Sequence, residues 1–475
     1  MKKKFLHNLS FLVFLNVIIK TFWILGIDRQ ILNTFGGNVY GLYFAVFNFS
    51  FLFHVFLDLG LHYYNNRTIA QDNTLINKYF SGIVMLKIGL AVTYLIITFG
   101  LATFFHFNAF QMHLLFYLAL NQILISFIFY VRSNIAALHW FKKDSLISVL
   151  DKTLMIILCG GLLVYVPKNS LQIEWFIYAQ TIAYAITLLI SLLVLSKAIN
   201  RIKFKIDWSF FFELFKKSYP YTILVLLMSL YNRIDAVMLG EMLETGVETG
   251  IYASAFKILD AFNMLGFLFA TLLLPMFAKM IKEKAPIESL FQLSSKLIFV
   301  ISVIIGLACY SYKQEIMQLL YVNGSAYSGE ILGMLMLSFV VISLVYITGT
   351  LLSANDNLKA LNILAIFGLC LNIGLNYYLI PTEKALGATY ATVFTQFVIL
   401  IGQLLIVKSI FKLKTNFILI ARLLLFLAVA IIIANYIMTF SFGWEIKFVI
   451  TAFVGLLMAF VLRLINPKDL LSAFK

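Results

Sequence analysis

Residues 329–354 read GEILGMLMLSFVVISLVYITGTLLSA, 26 residues whose one formal charge, Glu330, stands at the very start. A hydrocarbon core about 30 Å thick takes about 20 apolar residues as helix. This run is therefore long enough to cross a bilayer and too poor in charge to cover a soluble domain. Thirteen further runs of the same kind surround it. Nine precede it, near 9–27, 39–61, 79–105, 110–137, 145–166, 173–198, 218–240, 250–278 and 296–312; four follow, near 358–380, 385–408, 416–439 and 444–465.

The whole chain has the same character. Of its 475 residues, 62% are hydrophobic, 16% aromatic and 12% charged, with a mean hydropathy of +0.96; a soluble domain carries about 25% charged residues. These values exclude a cytosolic enzyme, a secreted domain and a disordered chain. A membrane barrel would show alternating segments of about 10 residues. Unbroken apolar runs instead satisfy their backbone amides within helices. The expected fold is an all-α polytopic membrane protein with 14 transmembrane helices. The first run follows Lys2, Lys3 and Lys4 without a small-residue cleavage site, so it reads as an uncleaved first helix.

Lys+Arg total 36 against 21 Asp+Glu, a formal charge of +15. On a soluble protein that excess would suggest nucleic acid; here, cytoplasmic loops hold the cations. With the loops assigned alternately and the N-terminus inside, 26 basic residues fall on the inner side, 5 on the outer side and 5 within spans. Adding or removing one helix would break that bias, so both termini are expected in the cytoplasm and no nucleic-acid partner is expected. Cys159, Cys309 and Cys370 lie in apolar runs without metal or disulfide spacing, and the six histidines are scattered. No metal or other cofactor is expected.

The largest break, RIKFKIDWSFFFELFKKS at 201–218, interleaves aromatics with lysines and suits a short helix on the inner membrane surface. It divides the chain into an N-lobe at 1–198, an elbow at 199–217, a C-lobe at 218–408 and two further helices within 409–475. The second span opens Gly41-Leu-Tyr43-Phe-Ala-Val-Phe47 and the eighth Gly250-Ile-Tyr252-Ala-Ser-Ala-Phe256, both GxYxxxF, six spans apart. An even number of helices per half makes the repeat parallel: two pseudo-symmetric six-helix lobes, as in transporters that rock about a central site.

Nine ionisable residues fall inside the spans: Lys20, Asp58, Lys87, Asp151, Lys152, Arg233, Asp235, Lys257 and Asp260. Each costs about 2.5–3.5 kcal/mol at mid-membrane, so each needs a partner or a wet cavity. Two readings stand for them. Arg233 and Lys257 lie at similar depth, with Asp235 and Asp260 able to neutralise them, either as a packing salt bridge or as a charged cavity wall. Lys20 and Lys87 have no partner on their own helix; they either meet an anionic, phosphate-linked cargo or pair with Asp58 and Asp151 inside the bundle. Asn372 and Asn376, one turn apart, serve interhelical hydrogen bonding or contact a sugar.

Three segments carry a resemblance: YNRIDAVMLG at 231–240 with GIYASAF at 250–256, NIGLNYYLIP at 372–381 with GATYAT at 387–392, and GLYFAVFNFSFLFHVFLDLGL at 41–61. In order and spacing they resemble polysaccharide, or O-antigen, flippases of the multidrug/oligosaccharidyl-lipid/polysaccharide exporter superfamily. The resemblance implies two lobes about a cavity in a bacterial cytoplasmic membrane. It implies translocation of an undecaprenyl-diphosphate-linked oligosaccharide from the inner to the outer leaflet, coupled to H+ or Na+ or to the membrane potential. The cations that would then meet the diphosphate are Lys20, Lys87, Lys152, Arg233 and Lys257, with Asp58, Asp151, Asp235 and Asp260 as charge partners or coupling groups. Drug exporters of the superfamily typically have twelve helices and an acid in the first, where this chain has fourteen and Lys20; an ion-coupled drug exporter is the alternative. A membrane enzyme would need an acidic cluster or a large outer loop. Glu241, Glu244 and Glu248 follow the seventh span without any nucleophile or metal motif beside them.

Overall fold

The structure, a computed structural model, describes residues 15–16, 18–59, 61, 65, 69, 75–138, 140–167, 170–199, 222–223, 226–227, 230–231, 233–243, 245–413, 416–462 and 464. Among these, every regular element is helical. A π segment, Trp23–Asp28, leads into α1 (Arg29–Leu52) and a 3-10 turn, His54–Leu57. The next four helices are α2 (Ile76–Phe104), α3 (Ala109–Ala137), α4 (Phe141–Tyr165) and α5 (Ile173–Ser196). Seven more follow: α6 (Val247–Lys282), α7 (Glu288–Ser311), α8 (Lys313–Leu320), α9 (Ala326–Ala354), α10 (Leu358–Phe411), α11 (Phe417–Met438) and α12 (Trp444–Val461). Ten of them, among the described residues, are long and apolar enough to cross a membrane. The protein is an all-helical, multi-pass membrane protein.

Two helices run across the gap between neighbouring apolar runs, and each breaks there. In α1 the break is Gly36, at φ 74° and ψ 168°, where a glycine pays no Cβ penalty. In α10, 54 residues long, the break is Lys384, at φ 53° and ψ −130°, three residues after Pro381. α10 is thus two spans in series, and α1 carries the end of the first span into the second, as the apolar runs predict. Elsewhere the ends have local causes. Asn108 with Gln111, and Ser325 with Ser328, close capping boxes at the starts of α3 and α9. His106, Lys284 and Asp356 take the left-handed conformation just past α2, α6 and α9.

Three expected boundaries move. The first span runs on to Gly36 rather than ending at 27, which takes Asp28 and Arg29 out of a loop and into the helix. The second stops at Leu52 and tightens into the 3-10 turn instead of reaching 61. The ninth starts at Glu288, eight residues early, because Gln292 Nε2 donates to Glu288 Oε1 at 2.9 Å and polar helix continues beyond the apolar run. The chain divides into two compact units, Met1–Gly250 and Ile251–Lys475. The expected elbow, apart from Ile199, lies outside the described residues.

In the first unit one cation explains the early end of α1. Lys87 of α2 is 1% exposed. Its Nζ donates to the Leu57 carbonyl at 2.9 Å, to Asp58 Oδ1 at 2.9 Å and to Ser126 Oγ at 2.7 Å; Ser126 Oγ donates in turn to the Leu57 carbonyl at 3.0 Å. An ammonium has three protons, and all three are used. The last carbonyls of a helical segment lack intrahelical partners and carry its negative end. Lys87 satisfies one of them, so the second span can terminate inside the protein and be tied to α2 and α3. Replacing Lys87 with Met leaves Asp58, 13% exposed, without its cation. A loss of about 3–5 kcal/mol is expected, read as a lower unfolding temperature of the purified protein, with Lys87→Met/Asp58→Asn recovering part of it. A Lys87→Met variant as heat-resistant as the parent would remove this account.

Candidate functional site

The richest polar cluster in the first unit gathers around the π segment, whose extra residue per turn turns Trp23, Ile27 and Asp28 inward together. Asp28, 3% exposed, accepts a hydrogen bond from Tyr40 Oη at 2.9 Å, across the break at Gly36. Tyr40 packs edge-on to Tyr43 at 5.5 Å, and Gln180 Nε2 of α5 donates to Tyr43 Oη at 3.2 Å. Phe176, also on α5, meets Tyr43 edge-on at 5.5 Å and stacks with Trp23 at 5.9 Å.

Lys152 completes the cluster from α4. Its Nζ donates to Tyr184 Oη at 3.1 Å, lies 3.5 Å from Asp151 Oδ2, and sits 5.4 Å over the Trp23 ring and 5.2 Å over the Tyr184 ring. The side chain is 21% exposed. It is held by ring faces, one hydroxyl, the Met155 sulfur and one adjacent carboxylate, with part of the side chain still exposed. Lys20, half-buried one turn before the π segment, is attracted by Asp151 and repelled by Lys152 and Arg132. Lys20, Asp151 and Lys152 thus belong to one electrostatic group, whereas Lys87 and Asp58 form the separate, closed clasp. For Lys87 the geometry is that of the paired reading.

Arg233 stands apart from both. Its Nη1 donates to Asn48 Oδ1 at 3.4 Å, and its guanidinium lies 5.2 Å over the Phe51 ring. Asp235, two residues on, is 3% exposed.

The same unit contains a seam that no charge marks. Gly37 and Gly41 on α1 face Gly246 and Gly250, each pair spaced GxxxG. A Cβ on Gly41 would stand 1.8 Å from the Gly246 carbonyl oxygen, one on Gly250 2.1 Å from that of Gly37, and one on Gly246 2.3 Å from that of Asn38. Asn38 Oδ1 accepts from the Gly246 amide at 3.0 Å. Here backbone lies on backbone, which only glycine permits.

In the second unit, Lys257 and Asp260 are half-buried on α6. Asn376 Nδ2 donates to Asn372 Oδ1 at 3.1 Å, both side chains being buried. The two amides therefore bond to each other along their own helix. Tyr252 stacks on Phe256 at 5.5 Å, as Tyr43 packs on Phe47 at 6.1 Å in the first unit. Both copies of GxYxxxF fold alike.

Residues 31–281 match the family described as Polysaccharide biosynthesis protein. The chain belongs to that family. Among solved structures it is similar to the lipid II flippase MurJ in an inward closed conformation, with a TM-score of 0.72 and 18% identity over 96% of this chain and 99% of that one. An inward-facing multidrug resistance MATE transporter of the MOP superfamily gives a TM-score of 0.66 and 17% identity over 84% and 94%. A MOP superfamily transporter from Pyrococcus furiosus gives 0.55 and 15% over 86% and 95%. A comparison with curated proteins finds no match. The chain shares the fold of these structures.

Two readings of the sequence change with the geometry. Its first span carries Lys20 but also the buried Asp28, so the contrast with drug exporters drawn from Lys20 alone is weaker than the sequence suggests. Asp28 fell just past the end of the first apolar run, 9–27, and so outside the span. Trp23, Tyr40, Phe176, Gln180 and Tyr184 gave no signal beyond their apolar or neutral character; Tyr43 did, as the central residue of GxYxxxF. The seam was legible only in part, through Gly41 and Gly250. Gly41→Ala and Gly250→Ala each drive a methyl into a carbonyl, at an expected cost of about 1–3 kcal/mol. Gly89→Ala, where a Cβ meets nothing within 4 Å, is expected to be silent. Unfolding temperatures of the three purified variants check this, and equal values would refute the seam.

Proposed function

We propose that the protein is a flippase. It moves polyprenyl-diphosphate-linked oligosaccharide, of the undecaprenyl class, from the inner to the outer leaflet of a bacterial cytoplasmic membrane by alternating access, for surface polysaccharide synthesis. The headgroup passes through the protein while the polyprenyl tail stays in lipid. The observation that carries this reading is Lys152, an ammonium held among the faces of Trp23 and Tyr184 with one adjacent carboxylate. A partly exposed ammonium suits a diphosphate. Lys20 adds charge to the same group, and Arg233 and Lys257 are further candidate ligands. Lys87 acts here as a brace. Membership of a polysaccharide biosynthesis family supports the class of cargo.

Coupling to H+ or Na+ falls in this reading to the acids of the spans: Asp151, Asp235 and Asp260, with Asp28 added and Asp58 engaged by Lys87. Asn372 and Asn376 are candidate polar contacts in the second unit. Buried Asp28 also favours a second reading, an ion-coupled exporter of small molecules.

One cell experiment separates the two. Loss of the protein is expected to trap lipid-linked oligosaccharide in the inner leaflet, deplete surface glycan and leave drug susceptibility unchanged. Lys152→Ala at normal abundance should lower surface glycan about tenfold, as the loss of one charge-assisted hydrogen bond of about 1.5 kcal/mol implies; Lys152→Arg should retain most of it. Changed drug susceptibility with intact surface glycan, abolished by Asp28→Asn, would favour the exporter instead.

A further inference from the structure

The second unit contains a cavity of about 570 Å³ away from the groups discussed so far, where the start of α7 meets the start of α11. Lys296 of α7 and Arg422 of α11 both line it, with Ser289, Gln292 and Asn416 as polar neighbours. Among the described residues no carboxylate lines it and neither cation forms an ion pair, while Gln292 donates to the Glu288 carboxylate at 2.9 Å. Asn416 Oδ1 accepts from the Leu419 amide at 3.0 Å and so fixes the first turn of α11 at the cavity wall. Lys296 lies eight residues into α7 and Arg422 five into α11, about 12 Å and about 8 Å from the helix starts at about 1.5 Å per residue. Ser289 and Asn416, at the first turns of α7 and α11, bring both helix starts to the same wall.

The remaining wall is apolar, with Leu293 and Ile418 prominent. The adjoining face of α11 is bare: Phe417 is 77% exposed, Ile418 68% and Leu424 60%. An anion held here is thus continuous with a hydrocarbon-facing surface. A free phosphate would use only the polar half of this arrangement, whereas a lipid uses both. The basic count also assigns the loops that carry Lys282, Lys284, Lys408 and Lys412 to one side of the membrane, the side at which α7 and α11 begin.

We propose that this cavity binds the headgroup of an anionic phospholipid, its phosphate between Lys296 and Arg422 and its acyl chains along α11. The site is independent of the transported cargo. Arg422 and Asn416 belong to the helix pair that follows the twelve-helix repeat, so that pair supplies part of a lipid clamp.

The test uses the full chain in phosphatidylcholine nanodiscs with and without phosphatidylglycerol. Phosphatidylglycerol is expected to raise the unfolding temperature by several degrees and to leave lipid adducts on the protein in native mass spectrometry. Lys296→Gln/Arg422→Gln should lose most of the shift and at least threefold of the adducts, with an unchanged unfolding temperature in phosphatidylcholine alone. The single Arg422→Gln change, at an exposed side chain, should already halve both readouts even if the double variant cannot be purified. Millimolar inorganic phosphate should give no shift. Full retention of the phosphatidylglycerol effect in Arg422→Gln, or its reproduction by inorganic phosphate, would overturn the proposal.

Discussion

Hydrocarbon accepts no hydrogen bond, and the whole molecule follows from that. Backbone amides must find partners within their own segment, which makes the chain helical wherever it crosses. Charges must find partners among side chains or in trapped polar space, which sorts the intramembrane residues into two kinds. Lys87 is the first kind: three protons, three acceptors and almost no exposure. Lys152 is the second, supported by aromatic faces and a single carboxylate. The first kind holds helices in register; the second keeps a charge available.

Periodicity and hydropathy were enough to read the architecture because the cost of a wrong assignment in lipid is large and uniform along the chain. The breaks at Gly36 and Lys384 fall between apolar runs for that reason. Polar extensions were not legible, since hydropathy reports the bilayer rather than the helix; α7 starts early on Glu288 and Gln292 for this reason. Charge pairing was legible as a list of alternatives only. Nothing in the sequence tells Lys87, beside a terminating carbonyl, from Lys152, beside an indole, because the difference lies in which neighbours the fold delivers. Asp28 was misassigned because a polar residue near the end of an apolar run reads as loop, whereas the π segment and Tyr40 bring it inside.

The fold shared with MurJ and MATE structures at 18% and 17% identity shows how little side-chain identity the architecture needs. In this chain one interior cluster mixes cations, acids and aromatic rings. That mixture is the basis of the proposal that its cargo is a charged, sugar-bearing lipid.

The seam of Gly37, Gly41, Gly246 and Gly250 has a mechanical consequence. Interdigitated side chains must change rotamer, one after another, before two helices can slide or part, and each such hop adds roughness to the path. Along this seam the contact is mostly backbone, with Leu42 and the Asn38 amide, which accepts from Gly246 at 3.0 Å, as the side chains that must give way. Parting therefore costs one hydrogen bond and dispersion but few rotamer changes, so any motion along that seam proceeds with little internal friction.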